Sequence, residues 1–182
     1  MNFSFLNGQP SLIDTSSIGL PHSYNNYKLS DGSIANVQIM DTAGQERFKS
    51  LNTSYYRKAD CCLLVYDITN INSFEECTNY FNEKIKENCK ENIPIILIGN
   101  KTDLENERKV SSELAQNFAL ENNYIFMETS CLKNENVADA FETLIEITHR
   151  ELLNNKTEKG PENENIKITK ETPKDSYNYC YC

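Results

Sequence analysis

No stretch of this 182-residue chain is both apolar and long enough to span a membrane. The longest apolar runs, Cys61–Tyr66 and Ile93–Ile98, fall far short of the ~20 residues a spanning helix needs. The first residues carry neither a basic segment nor a long apolar one, so no secretory signal is expected. Basic residues are in the minority, 18 Lys and Arg against 27 Asp and Glu. The net charge of −9 repels a phosphate backbone and argues against a nucleic-acid partner. Histidine is scarce, only His22 and His149, and no Cys-x-x-Cys occurs among seven cysteines, so no zinc site is expected. Free thiols in a reducing cytosol follow, with Cys61 and Cys62 as small core residues. Wholesale disorder is excluded too: 38% hydrophobic and 25% charged residues support a packed core.

What is present alternates between two periods. Ala35–Met40 places Ala35, Val37 and Ile39 on one face and predicts a strand. Cys61–Tyr66, Ile93–Ile98 and the shorter Tyr124–Met127 are continuously apolar, as strands buried on both faces are. Between them, Phe74, Cys77, Phe81 and Ile85 fall on one helical face, with Ser73 and Glu76 as a capping box. Leu114, Ala115, Phe118 and Ala119 mark a second helix, and Val137, Phe141, Leu144, Ile145, Thr148 and Leu152 a third. Buried strands separated by amphipathic helices predict an α/β fold, a doubly wound and mostly parallel sheet, over residues 1–153. Residues 154–182 are poor in large aliphatics and predict a flexible tail spanning roughly 30 Å.

Two polar clusters directly follow predicted strands, where ligands of open α/β sheets bind. In Asp41-Thr42-Ala43-Gly44-Gln45, the carboxylate suits a hydrated magnesium ion and the glycine lets a backbone N–H approach a phosphate. The glutamine suits an attacking water. In Gly99-Asn100-Lys101-Thr102-Asp103, the Asp103 carboxylate matches a base with two adjacent donors, as guanine has and adenine lacks. The Lys101 stem suits the face of a flat base, and Asn100 suits a pin between loops.

Together with Tyr55-Tyr-Arg-Lys-Ala59, Leu64-Val-Tyr-Asp-Ile-Thr69 and Glu128-Thr-Ser130, these motifs stand in the order of the Rab branch of the Ras-like small GTPases, which the chain resembles from about Phe3 to Leu153. The resemblance implies GTP/GDP and Mg2+ as ligands. It implies Asp41 and Ser17 at the metal, Asp41, Thr42, Ala43 and Gly44 at the phosphates, and Gln45 as the catalytic, water-positioning residue. Asn100, Lys101 and Asp103 match the guanine-specificity set, and Ser130 with Cys131 the loop behind the base. Leu132 stands where a lysine flanks the base. Cys180-Tyr181-Cys182 resembles a double geranylgeranylation site, and two lipids anchor stably where one does not. The implied protein is a monomer on the cytoplasmic face of a membrane, with a cytosolic pool. Its implied partners are escort and GDP-dissociation-inhibitor proteins and traffic effectors.

The chain also departs from the family. Its six glycines are 8, 19, 32, 44, 99 and 160, and none is followed by lysine, so the Gly-x-x-x-x-Gly-Lys-[Ser/Thr] phosphate loop is absent from the sequence. Phe3–Pro10 resembles the end of the family's first helix. The sheet is therefore expected to be one strand short, between Ala35–Met40 and Cys61–Tyr66. The effector loop reads Ser17-Ile18-Gly19-Leu20-Pro21-His22. Three readings stand: a GTPase whose N-terminal part lies outside this sequence, a nucleotide-independent prenylated binding module acting through Gln45–Tyr56, or a decayed gene product that does not fold stably.

Overall fold

The computed structural model describes residues 2–6, 9–13, 22–41, 56–158 and 176–181. Eight strands are β1 (Asn2–Leu6), β2 (Gln9–Ile13), β3 (His22–Lys28), β4 (Ile34–Asp41), β5 (Cys61–Asp67), β6 (Ile95–Asn100), β7 (Ile125–Thr129) and β8 (Ser176–Tyr181). The main sheet runs β3-β4-β8-β5-β6-β7. Edge strand β3 is antiparallel to β4, and every other pairing is parallel.

Burial explains the strands. β6 is buried at all six positions and β5 at five of seven, so Cys61–Tyr66 and Ile95–Ile98 within them read as apolar runs. β6 begins at Ile95 rather than Ile93. Pro94 has no N–H to give the ladder, though its carbonyl accepts from the Cys62 N–H at 3.0 Å.

Helices cover both faces. On one, α1 (Ile71–Glu75) passes through a π segment (Glu76–Phe81) into α2 (Asn82–Asn88), beside α3 (Ser112–Glu121). Phe74, Cys77, Ile85, Ala115 and Ala119 pack there against Cys62, Leu64, Tyr66, Ile95 and Leu97. On the other, α4 (Val137–Glu158) sets Val137, Ala140, Phe141, Leu144 and Ile145 against Ala35, Val37, Cys61, Leu63, Ile96 and Ile98. The expected doubly wound α/β arrangement is therefore present, with Cys61 and Cys62 both fully buried core residues.

Four local expectations are corrected. The cap of α1 is Asn70, whose side chain accepts from the Asn72 N–H at 3.1 Å. Ser73 Oγ instead accepts from the Asp67 N–H at 3.0 Å and donates to the Asn70 carbonyl at 2.7 Å. Of the segment matched to a helix end, residues 3–6 and 9–10 lie in the antiparallel pair β1–β2. Phe3 and Phe5 alternate with Ser4 at the two-residue period of a strand. The expected gap between β4 and β5 is filled by β8, which pairs with both. The segment expected as a tail thus contains the end of α4 and this strand. Tyr177, Tyr179 and Tyr181 alternate with Ser176, Asn178 and Cys180, and tyrosine has high strand propensity.

Candidate guanine-recognition site

The carboxyl ends of β5, β6 and β7 form one row, in which Asp67 registers with Asn100 and Asn100 with Thr129. The chain approaches this row through Gly99. A Cβ at that position would lie 2.7 Å from the Tyr66 hydroxyl, so only glycine fits behind Asn100 without displacing the ring. Past the row, Lys101 turns the backbone with φ +73, in the left-handed region, at a cost of about 1–3 kcal/mol. The turn is held by the Leu104 N–H donating to the Lys101 carbonyl at 2.9 Å and by the Lys101 ammonium paired with Asp67 at 2.5 Å.

Asn100 is only 7% exposed. Its Oδ1 accepts from the Cys131 thiol at 3.2 Å, the Thr129 hydroxyl at 3.3 Å and the Cys131 N–H at 3.4 Å. One buried amide therefore ties the end of β6 to the loop after β7. Burial pushes the Cys131 thiol up to about 11, against the smaller opposing effect of the Asn100 hydrogen bond, so at neutral pH it is a donor and not a thiolate.

That loop is closed by a two-way backbone bridge between Ser130 and Glu135, at 3.1 and 2.9 Å. It presents the Ser130 hydroxyl to Asp103, donating to Oδ1 at 2.5 Å, while Ser130 Oγ accepts from the Lys133 N–H at 3.1 Å. Asp103 is thus oriented by a fully buried serine from the neighbouring loop. Among the described residues no hydrogen bond reaches its other oxygen. An ionised carboxylate accepts at about four lone-pair sites, so acceptor capacity remains for a ligand with paired donors.

The Asp67–Lys101 pair closes the third side. Burial raises the Asp67 pKa, but the hydrogen bond from Lys101 and those from the Thr69 hydroxyl and N–H outweigh it, leaving the carboxyl below its ordinary value. With Lys101 36% exposed, solvent screening limits the pair to about 1 kcal/mol or less.

Sequence reasoning gave no role to Asp67 or to a second tether, Arg108. The guanidinium donates to Glu105 at 2.7 and 2.8 Å and to Glu128 at 2.7 Å, and Ser112 also donates to Glu128, at 2.9 Å. This clamp fixes the 3-10 turn Thr102–Glu107, which carries Asp103, against β7. A basic residue with an acid three positions before it was the available signal.

The structure brings together Asn100, Lys101, Asp103, Ser130 and Cys131. Leu132 lies beside them, 72% exposed. An apolar cavity below, lined by Leu63, Val65, Ile98 and Phe141, measures about 10 Å³, room for about one water. Asp41 ends β4, in register with Tyr181. Ser17, Thr42, Ala43, Gly44, Gln45 and Cys182 lie outside the described residues, and Cys180 is described only as part of β8.

Comparison with known proteins matches the same frame. The model of the Ras family matches residues 3–150. The GTP-binding protein ypt3 of Schizosaccharomyces pombe is 41% identical over 156 residues, covering 86% of this chain and 72% of that protein. The Ras-related protein Rab-8A of Bos taurus is 39% identical over 164 residues, 88% of this chain and 78% of that one. The Ras-related protein Rab-13 of Rattus norvegicus is 46% identical over 114 residues, 63% of this chain but only 56% of its own length. With strand ends, loop tethers and relatives in agreement over most of its length, this chain belongs to the Ras family and is a Rab-like small GTPase.

Proposed function

We propose that this protein is a guanine-nucleotide-binding switch of vesicle traffic, carried on the cytoplasmic face of a membrane by lipids on Cys180 and Cys182. The observation that carries the reading is the Asp103 carboxylate, held by Ser130 and left with acceptor capacity beside a buried Asn100. Guanine offers the N1–H and exocyclic amine pair that such a carboxylate accepts; adenine does not. The base-recognition residues therefore fit the nucleotide. A bound Mg2+ would bring charge neutralisation at the phosphates, with Asp41 and Ser17 as the residues to hold it and Gln45 to position water.

The phosphate half is weaker in this sequence, because no Gly-x-x-x-x-Gly-Lys-[Ser/Thr] loop is present. About five charge-assisted contacts at roughly 1.5–3 kcal/mol each amount to some 7–15 kcal/mol. At about 1.4 kcal/mol per decade, that is five or more decades of affinity. The sequence as it stands should therefore bind guanine nucleotides weakly and hydrolyse GTP undetectably. The test is titration of the chain with GDP and with ADP, each with a fluorescent label on the ribose. Weak binding of GDP in preference to ADP supports the reading, and equal binding of the two overturns it.

A second reading rests on the internal pairing of the site. Lys101 is already neutralised by Asp67 and one Asp103 oxygen by Ser130, so the loops are ordered by their own contacts. This favours a nucleotide-independent, prenylated binding module with the same partners, namely escort and dissociation-inhibitor proteins and traffic effectors. Unfolding midpoints unchanged by millimolar GDP, together with membrane recruitment through the terminal cysteines, would select it.

A further inference from the structure

The geometry points to Asp67 as a positioning residue that sets base specificity. By holding the Lys101 ammonium at the end of β5, it keeps that cation off Asp103 and leaves the Asp103 carboxylate open to a guanine base. The inference rests on the guanine reading above and extends it to a residue outside the base-recognition motif.

Lys101 is the outlier that carries it. Among the described residues, five other than glycine have positive φ, and four of these are asparagines: Asn92, Asn123, Asn134 and Asn136. Asparagine tolerates the left-handed region, whereas a long side chain enters it at a cost. A lysine there is a strained choice, of the kind found where the side chain is used. Its ammonium rests on Asp67 Oδ2 at 2.5 Å. Asp67 is prepared to receive it. Its Oδ1 accepts from the Thr69 hydroxyl at 2.7 Å and the Thr69 N–H at 2.8 Å, which turns Oδ2 to Lys101. The backbone beneath is fixed too, because the Asp67 N–H donates to Ser73 Oγ at 3.0 Å and the Asp67 carbonyl accepts from the Asn70 N–H at 3.0 Å. Register sets Asp67 beside Asn100, the residue before Lys101.

The competing carboxylate gives this tether its consequence. Asp103 follows Lys101 by two residues in the same turn, and on the guanine reading it is the acceptor for the base. A lysine ammonium is a point charge on a flexible four-carbon stem. Released from Asp67, it meets Asp103 as the carboxylate of its own turn. An ammonium there presents donors where guanine brings its own, so the acceptor is lost and the distinction from adenine shrinks. Ser130 has no such effect, because its hydroxyl takes Oδ1 alone. Asp67 thus acts on the base only through Lys101.

The test uses the full chain in five forms: unaltered, Asp67→Asn, Lys101→Met, the double variant of these two, and Thr69→Val. One readout is the ratio of dissociation constants for GDP and ADP, each labelled on the ribose. The other is hydrogen exchange of the Leu104 amide, which donates to the Lys101 carbonyl at 2.9 Å. Asp67→Asn should narrow the ratio about three- to fivefold, the size a partly exposed ion pair supports, and should speed Leu104 exchange. Thr69→Val removes one donor from Asp67 and should act in the same direction more weakly; it carries the test if Asp67→Asn does not fold. Lys101→Met keeps the stem without the charge, so adding Asp67→Asn to it should move neither readout. No change in either readout on Asp67→Asn overturns the positioning role. An equal change with and without the Lys101 ammonium overturns the route through Lys101. Faster Leu104 exchange with an unchanged ratio overturns the specificity role. Equal binding of GDP and ADP by the unaltered chain overturns the guanine reading and the specificity role with it, and Leu104 exchange then decides by itself whether Asp67 holds the turn.

Discussion

Gly99→Ala is the sharpest perturbation of the strand that carries the site. The added Cβ would stand 2.7 Å from the Tyr66 hydroxyl oxygen, 3.0 Å from Tyr66 Cζ and 3.1 Å from Ile68 Cγ2. Tyr66 has nowhere to retreat, being 2% exposed and in edge contact with Phe74 at a centroid distance of 4.9 Å. Either the ring or the β6 backbone must shift, and Asn100 follows Gly99 directly. Overpacking of this kind costs about 1–3 kcal/mol. Tyr66→Phe should relieve it, because the closest clash is with the hydroxyl. The same hydroxyl is buried and, among the described residues, has no hydrogen-bond partner. An unpaired buried hydroxyl costs about 1–3 kcal/mol, so Tyr66→Phe alone should stabilise the fold by about 1 kcal/mol. Urea unfolding of the four chains, with m-values compared, gives the cycle. The expected coupling is about 1 kcal/mol in favour of the double variant, well beyond the ~0.3–0.5 kcal/mol scatter of independent sites. Destabilisation by Tyr66→Phe, or strict additivity of the two changes, would refute the packing account.

Asp103→Asn should abolish any preference for GDP over ADP, since one carboxylate oxygen becomes a donor facing donors; an unchanged ratio of dissociation constants would count against Asp103 as the base acceptor. Cys180→Ser with Cys182→Ser should abolish membrane association in cell fractionation, and equal association without both thiols would remove the lipid anchor. Asp31 is held down to about 2 from 3.8, first by the Ser33 hydroxyl and N–H and then by His149. A depressed carboxyl contributes stability above its unfolded pKa and loses it as pH falls through the folded value. The unaltered chain should therefore lose more stability between pH 4 and pH 2 than Asp31→Asn does, in paired urea midpoints. Arg108→Ala should loosen the turn carrying Asp103, read as faster amide exchange across 102–107 with little change in β6.

Much of this protein was legible along the chain. β5 and β6 announce themselves because a strand buried on both faces must be continuously apolar, and α4 because its inward positions recur at helical spacing. The polar clusters at Asp41 and at Asn100–Asp103 are local in sequence, so motif order was enough to place them at strand ends. Less visible was β3, His22–Lys28, whose polar residues suit a solvated edge and leave no apolar pattern. The tethers of the site were not legible either. Lys101 meets Asp67, and Ser130 meets Asp103 across 27 positions, because neighbouring parallel strands end side by side.

The central strand shows the division most clearly. Composition by itself predicts a flexible tail over residues 154–182, yet residues 176–181, where tyrosines alternate with smaller residues, are a strand. It did not determine where that strand goes. A parallel ladder is made of backbone N–H and C=O groups that are the same at every residue, so an open edge accepts any extended segment that can reach it. Only the tertiary structure, by leaving β4 and β5 with facing unpaired edges, decided that the C-terminal segment lies between them.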